Sequence, residues 1–286
     1  ARNGIVANGT GLTANIHDNT LVGPGTISGQ VANGFVFIGG VSGNATHNII
    51  SGMHYNTDPV SRSAGVMTYG ATTAGILIDQ NNISDTDDAI TLSASSHDAD
   101  VNSNILHDNL EVGIQLEGGT ANNVITENTF TGNGKAGIRF GGAGDPVPAE
   151  VDTPPGAGNV AHRNTFSGNV VGGVVNYDTT PQTFDASNNW WGDATGPSGL
   201  GFGGGDAITA NVTFIPWYSD VGMTTLVSAN MTAYNAALAD VDQTDYTTES
   251  WTTYQAIVDD NVVNEQNTQA EVDTATDNIT AAQGDL

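Results

Sequence analysis

With 286 residues, 38% of them hydrophobic, the chain is long enough for one large domain or two modest ones. Thirty-one acidic residues outweigh five basic ones, and the net charge of −26 argues against binding to nucleic-acid phosphates or to an anionic membrane surface. The absence of cysteine excludes disulfides, thiol catalysis and zinc–thiolate sites. No stretch is long and apolar enough to span a membrane.

An internal repeat organises the first two thirds of the chain. An Asn followed two positions later by an apolar residue recurs at spacings of 29, 33, 23, 24, 36 and 24 residues. Asn tolerates the left-handed backbone region and can hydrogen-bond to its own kind in a stack. We therefore predict a structural Asn ladder in the turns, formed by Asn19, Asn48, Asn81, Asn104, Asn128, Asn164 and Asn188.

Short alternating runs keep phase with these Asn residues, at 90–92, 114–116 and 138–140. Alternation is typical of a strand with one buried and one exposed face. With a further apolar point before each Asn, every repeat holds about three short strands, which cannot bury themselves alone. Stacked coil on coil at roughly 4.8 Å, they would share one core. The predicted fold class is all-β: a parallel β-helix, or solenoid.

Two coils, 128–133 (NTFTGN) and 164–169 (NTFSGN), resemble the pectin-lyase-like right-handed β-helix repeat. The segment 188–193 (NNWWGD), followed by Gly196-Pro197 and Pro216-Trp217, resembles the closing coil of such domains in large prokaryotic surface proteins, those of methanogenic archaea among them. The resemblance covers roughly residues 1–218 and implies the right-handed form of the fold. It says little about function, because one fold serves many functions.

The C-terminal part has a different pattern. Gly nearly disappears after Met223 and the apolar period becomes helical. We predict a β-helix over 1–220 and a small helical bundle over 221–286, with Thr268 and Glu271 as a capping box. The run from Tyr246 to Trp251 resembles the three-helix FIVAR module of cell-surface proteins. The inward residues are predicted to be Val227, Met231, Tyr234, Leu238, Val241, Trp251, Tyr254, Val258, Val272, Ala275, Ile279, Ala282 and Leu286.

Many β-helices act on polysaccharides, so catalytic residues have to be considered. Asp85, Asp87 and Asp88 resemble the paired-aspartate segment of polygalacturonases, but the Gly-His-Gly and Arg-Ile-Lys motifs of that family are absent. Lyase chemistry needs a basic group, for which Arg139 and Arg163, with Lys135 close to the first, are candidates. We expect Arg139 to face outward and these cations to balance an acidic solenoid, without catalysis.

No cofactor is expected, with calcium as the one candidate ion. Asp85 and Asp87 lie one repeat before Asp108, so carboxylates on adjacent turns could share a cation. Solvated turns explain the same residues. Six N-glycosylation acceptor patterns fit a surface protein: Asn8, Asn44, Asn82, Asn211, Asn230 and Asn278.

The sequence favours an extracellular structural protein: an adhesin, a surface-layer or sheath component, or a filament subunit. The chain starts in repeat-like sequence without a signal peptide, so we expect a mature product or an excised piece. The partners would be further copies of itself or adjacent domains, stacking on the open first coil. The alternatives are a carbohydrate-active enzyme (a lyase, hydrolase or epimerase) and a glycan-binding module using Tyr55 and Tyr177.

Overall fold

The computed structural model describes residues 3–57, 61–70, 72–141, 154–177, 182–264 and 267–286. The chain forms two compact units: Ala1–Phe214 with Tyr218–Thr224, and Ile215–Trp217 with Thr225–Leu286.

The first unit is a solenoid of parallel strands. Its first eighteen strands form six successive coils, and each coil adds one strand in turn to a nine-stranded sheet A, an eight-stranded sheet B and a six-stranded sheet C. In chain order these strands are β1 (Ile5–Asn8), β2 (Thr13–His17), β3 (Thr20–Ile27), β4 (Phe35–Ile38), β5 (Ser42–Thr46), β6 (Ile49–Tyr55), β7 (Ala64–Tyr69), β8 (Ile76–Asp79), β9 (Asn82–Thr86), β10 (Asp88–Ser93), β11 (Asp100–Asn102), β12 (Ile105–His107), β13 (Val112–Leu116), β14 (Val124–Thr126), β15 (Thr129–Thr131), β16 (Ala136–Phe140), β17 (Val160–His162) and β18 (Thr165–Ser167).

The later strands are shorter and less regular. Sheet A gains three of them, and the last two strands of that sheet pair with a shift in register. Sheet B gains two. The final two strands of the chain pair with each other. They are β19 (Gly172–Asn176), β20 (Phe184–Asp185), β21 (Pro197–Gly199), β22 (Gly205–Ile208), β23 (Val212–Thr213), β24 (Trp217–Tyr218) and β25 (Leu226–Val227).

Side chains in register stack through the interior. Phe130 and Phe166 are partners in sheet C, with ring centroids 4.9 Å apart, and Trp191 continues the stack at 4.9 Å. All three are fully buried, and burying a side chain of this size stabilises the fold by about 2–3 kcal/mol. The Phe166 ring fits because residue 137 is Gly: a Cβ there would lie 2.6 Å from that ring. The prediction of a parallel β-helix with a stacked core is confirmed.

The predicted Asn ladder occupies the turn between sheets B and C. Each rung except the last donates Nδ2 to the side-chain Oδ1 of the rung one coil further on, at 2.9–3.1 Å. These bonds satisfy amide groups that would be costly to bury without a partner. The rungs are Asn19, Asn48, Asn81, Asn104, Asn128, Asn164 and Asn189.

The last rung is therefore Asn189, and the prediction of Asn188 was wrong by one residue. The residue before each rung has a positive φ of 53–57°, and Asn188 occupies that left-handed position. The rung itself does not adopt it, contrary to our expectation. The same shift makes Trp191 the fully buried residue of this coil, while Trp190 is only half-buried.

Two further ladders, not predicted, lie in the other turns. One, between sheets C and A, runs from Asn109 through Asn133 and Asn169 to the carboxylate of Asp206, with Nδ2–O distances of 2.8, 2.8 and 2.6 Å. Another, between sheets A and B, joins Asn123 to Asn159 at 2.7 Å. Asn109, Asn123 and Asn128 thus each use a side-chain amide to couple one coil to the next, one in each of the three kinds of turn.

The second unit contains three α-helices, α1 (Thr232–Ala239), α2 (Thr248–Asp260) and α3 (Gln269–Gln283), and a short 3-10 turn at Gln243–Asp245. The predicted capping box of Thr268 and Glu271 is confirmed. The predicted inward residues pack in one cluster, except Val227, which lies in β25 and not on a helix. None of the helices in the described part of the chain has the length and hydropathy that spanning a bilayer requires.

Candidate functional site

The regular coil length brings distant polar residues together on sheet A. Thr91, Gln115 and Arg139 are register partners on β10, β13 and β16, and their side chains form one column across three coils. Asp88 starts β10, pairs with Val112 and lies within reach of this column. We expected these strands to be half-exposed, but every residue of β10, β13, β16 and β19 is buried.

Cations and carboxylates converge there in what we call the charge cluster: Arg62, Asp88, Glu111, Lys135 and Arg139. Glu111 Oε2 lies 3.1 Å from Nη2 of Arg62, 3.5 Å from Nζ of Lys135 and 3.5 Å from Nη1 of Arg139. Arg139 Nη2 lies 3.9 Å from Asp88 Oδ1, and Arg139 Nε donates a hydrogen bond to Gln115. Three of the five basic residues in the sequence therefore meet at one site.

Burial dominates the electrostatics of the charge cluster. Asp88 and Arg139 are each 2% exposed. Loss of hydration raises the pKa of Asp88 to about 7, against the opposing positive charges of Arg139 and Arg62. Asp88 Oδ1 and Glu111 Oε2 face cations as ion pairs, without an aligned hydrogen bond from any described residue. A carboxyl group that titrates near neutral pH beside a guanidinium can serve as a general acid or base.

A buried ion-pair network is also a common structural feature, and removal of one partner from it is strongly destabilising. The expectation that Arg139 lies on an exposed outer face was wrong. Its side chain sits on the side of sheet A away from the core, yet it is covered, and it holds Asp88, Glu111 and Gln115 in place.

The neighbouring aspartates serve different purposes. Asp87 Oδ2 accepts the backbone N–H groups of Tyr55 and Ser63, each at 2.8 Å, and its Oδ1 lies 3.4 Å from His54 Nδ1. Burial raises the pKa of Asp87, although these hydrogen bonds lower it in part. Asp85 is largely exposed and contacts His54 Nε2 at 3.1 Å. Asp87 therefore links its own turn to the backbone at Tyr55 and at Ser63. It is not part of the charge cluster that contains Asp88.

Arg163, the other candidate cation, lies elsewhere. It occupies the left-handed position before Asn164, where it contacts Glu127 at 3.3 Å and the hydroxyl of Tyr218 at 3.0 Å. Its guanidinium also lies over the Tyr218 ring, 5.7 Å from the centroid. The structure does not bring Arg163 to Arg139.

The candidate calcium ligands are only partly brought together. Asp108 follows His107, the register partner of Ser84, so it lies one coil from Asp85. Asp108 Oδ2 is 2.7 Å from His107 Nδ1, while Asp87 is bonded to backbone amides. Within the described ranges, no group of three or more His, Cys, Asp or Glu side chains is placed to hold a metal ion.

The six glycosylation candidates differ in accessibility. Asn8, Asn211 and Asn278 are exposed, and Asn44, Asn82 and Asn230 are half-buried. The side chains of Asn44, Asn82, Asn230 and Asn278 are engaged by Asn15, His107, Thr232 and Asn261 respectively.

Sequence reasoning did not single out Arg62, Glu111 or Gln115. One available signal was the 24-residue period, which separates Glu111 from Lys135 and Gln115 from Arg139. It predicts that each pair lies in adjacent coils. Arg62 carries no such signal because it lies in the connection between β6 and β7, outside the repeat.

The three-sheet parallel solenoid with Asn ladders defines the class of the protein, a parallel β-helix with a buried charge cluster on its largest sheet. The model of the family described as Right handed beta helix region matches residues 1–152, and the chain belongs to this family. No curated protein and no solved structure matches the chain. The family includes both enzymes and non-enzymes.

Proposed function

We propose that this chain is an extracellular structural module, a component of a surface layer, sheath, adhesin or filament, and not an enzyme. The observation that carries the proposal is the Asn ladder, which runs without a break from Asn19 to Asn189 and couples every coil to the next. Such coupling is suited to a stiff rod that bears load or sets a spacing.

Charge and the second unit support the same proposal. A net charge of −26 keeps a protein soluble and fits a cation-rich or saline exterior. A helical unit of the FIVAR type, as proposed from the resemblance at Tyr246–Trp251, would suit a cell-surface protein of archaeal or bacterial type. Glycosylation at the exposed Asn8 and Asn211 would suit it also.

Electron microscopy of the purified chain, with sedimentation velocity over a range of protein and salt concentrations, tests the proposal. We expect ordered filaments or lattices, or a concentration-dependent increase in sedimentation coefficient. A chain that remains monomeric under all these conditions, with calcium added as well, would contradict self-assembly.

A carbohydrate-active enzyme is the second candidate, and the charge cluster is the observation that favours it. Asp88 with its raised pKa would be the acid or base, and Arg139 and Arg62 would neutralise developing negative charge. Incubation with acidic and neutral polysaccharides tests it, with detection of new reducing ends or unsaturated products.

Asp88→Asn should abolish product release if this second candidate is correct, and Asp85→Asn should leave it unchanged because Asp85 lies outside the charge cluster. If no polysaccharide is cleaved, the catalytic candidate is rejected and the charge cluster is structural.

A further inference from the structure

The outer face of sheet C contains no Asp, Glu, Lys or Arg. We call it the sheet C face, and it consists of the twelve residues on either side of the inward-facing Leu21, Ile50, Ile83, Leu106, Phe130 and Phe166. These positions hold seven Ser or Thr residues, two Ile, one Val, one Asn and one His. Each of them is exposed or half-buried. A chain with a net charge of −26 thus keeps one exposed sheet surface free of carboxylates.

The other two sheets do not offer such a surface. On sheet B, Asp79 and Asp100 lie on the outer side, because Ile78 and Val101 beside them are fully buried in the core. On sheet A, every residue of four successive strands is buried, so this part of its outer side is already covered. Two copies that met through sheet B would bring carboxylates together, which is unfavourable. Sheet C is the face on which two copies can meet without that cost.

The sheet C face is regular in two directions. Thr129 pairs with Thr165 and Thr131 pairs with Ser167, and the other strands continue both columns in the same register. At roughly 4.8 Å per strand the columns are about 24 Å long, and at about 3.3 Å per residue they lie about 7 Å apart. The face covers on the order of 400 Å², about half of what one partner contributes to a standard interface. A pair held by it alone is therefore weak and concentration-dependent.

The polar groups of the sheet C face are complementary to themselves. A two-fold contact brings the same surface of both copies together, so its groups must be able to bond to their own kind. Hydroxyl and amide side chains donate and accept hydrogen bonds, whereas a carboxylate only accepts. Both copies also share one strand spacing, so the ridges of one face can lie in the grooves of the other over the whole length of the sheet.

Three large apolar side chains on the sheet C face provide a driving force for association. Val22 is 71% exposed, Ile49 53% and Ile105 49%. Ile49 and Ile105 belong to one column, in which each pairs with Asn82 between them. Removal of such side chains from water is favourable, and at this face no charged group has to be dehydrated at the same time.

We propose that the sheet C face binds the sheet C face of a second copy of this chain, related by a two-fold axis. The axis passes between β9 and β12, the central strands of the sheet, so that all six strands of each copy are covered. The contact deepens the proposed structural role, on which it rests, because it gives the module a lateral surface for assembly.

Acidic residues border the sheet C face and determine how association depends on salt. Asp85 and Asp108 directly follow Ser84 and His107, and their side chains are 72% and 74% exposed. Across a two-fold contact these carboxylates repel one another. Salt screens such repulsion, with a Debye length of about 30 Å at 0.01 M and about 3 Å at 1 M. Added NaCl should therefore strengthen association, the opposite of its effect on a contact made by ion pairs.

Sedimentation velocity of the full chain tests the contact, with EDTA present, at neutral pH and in NaCl from about 0.01 M to about 0.5 M. We expect a monomer–dimer equilibrium that shifts toward dimer as salt is added. Association that appears only with calcium and disappears with EDTA would show that cations bridge acidic surfaces, and would refute the sheet C contact. A chain that stays monomeric throughout, with calcium as well, would contradict self-assembly altogether.

Matched substitutions locate the contact. Ile105 and Val124 each begin a three-residue strand and are exposed to a similar extent, 49% and 41%, but Ile105 lies on sheet C and Val124 on sheet B. Ile105→Glu should raise the dissociation constant by about tenfold or more, and Val124→Glu by less than about twofold. If the parent chain associates and the two variants associate equally, the sheet C contact is wrong while the proposed structural role stands. Circular dichroism verifies that both variants are folded like the parent chain.

Crosslinking gives a second measurement that does not depend on adding charge. The chain has no cysteine, so Ile105→Cys and Val124→Cys each introduce a single thiol. Residue 105 lies close to its own copy when the axis passes between β9 and β12, so a short bismaleimide should join two Ile105→Cys chains much faster than two Val124→Cys chains. Equal rates would refute the two-fold contact. A glycan on Asn82 of the native protein would do so as well, because it would cover the centre of the face.

Discussion

Arg139 on β16 reaches back across two coils to Asp88 on β10, with Nη2 3.9 Å from Oδ1. On the way its Nη1 lies 3.5 Å from Glu111, on the connection that precedes β13. One guanidinium thus links three successive coils of sheet A through groups that are mostly out of contact with water. Removal of a partner from such a network leaves uncompensated buried charge.

Arg139→Met should accordingly destabilise the solenoid by about 3–5 kcal/mol in denaturant unfolding at neutral pH. The loss should be smaller at acidic pH, where Asp88 binds a proton and no longer needs a counter-charge. Arg163→Met is the matched control: the Arg163 side chain is 47% exposed, and an exposed pair is worth at most about 1 kcal/mol. Equal losses in the two variants would contradict a structural role for the charge cluster.

Stability should depend on pH through Asp88. Its pKa is about 7 in the folded chain against 3.8 for an unperturbed carboxyl group, so the folded state holds the proton more tightly. This stabilisation is complete below pH 3.8 and is lost as the pH rises to about 7, at up to about 1.4 kcal/mol per pH unit.

The measurement is the difference in unfolding free energy between the parent chain and Asp88→Asn across this range. The parent chain should lose stability relative to Asp88→Asn as the pH rises, because the carboxyl group titrates in this range and the amide does not. Asp85→Asn is the control, because the side chain of Asp85 is 72% exposed and lies outside the charge cluster. A flat difference for Asp88→Asn would show that this carboxyl group has an ordinary pKa.

The adjacent residues Asn188 and Asn189 should respond very differently to truncation. Asn189→Ala removes a rung that accepts from Asn164 and donates to the backbone oxygens of Ala161 and Ala186, and we expect a loss of about 2–4 kcal/mol. Asn188→Gly should cost less than about 1 kcal/mol, because Gly adopts positive φ without strain. The reverse order, measured by urea unfolding, would contradict the assigned ladder.

Gly137→Ala should destabilise the solenoid by about 1–3 kcal/mol through overpacking, since the new Cβ would lie 2.6 Å from the Phe166 ring and 2.7 Å from the Gly173 oxygen. Phe166→Leu leaves space beside that position. The double variant should therefore lose less stability than the sum of the two single losses. Additive losses in a double-mutant cycle would mean that the ring does not limit residue 137.

The 24-residue period predicted much of this architecture from sequence because stacked coils repeat their chemistry. Asn104 and Asn128 occupy the same point of successive coils, as do Leu106, Phe130 and Phe166, and the structure places each where the spacing indicates. The rung at 188 was misplaced because two Asn and two Trp residues follow one another there. The sequence offers both registers, and backbone conformation selects one.

The second and third ladders could also have been found. Gly132-Asn133, Gly168-Asn169 and Gly158-Asn159 each place a residue of positive φ before a rung. The charge cluster is harder to predict, since the position of Arg62 depends on a connection outside the repeat.

The sequence by itself determined the solenoid, the coil length, the main Asn ladder and the helical character of the C-terminal unit. Each follows from a local period: the repeat spacing fixes which residues stack in successive coils, and the helical period fixes which residues share a face. Tertiary structure alone decided that Arg139 is buried, that Asp88 lies beside it across two coils, and that Asp87 accepts hydrogen bonds from two backbone amides. Those outcomes depend on contacts between side chains of different coils, and on Arg62, which lies in a connection outside the repeat.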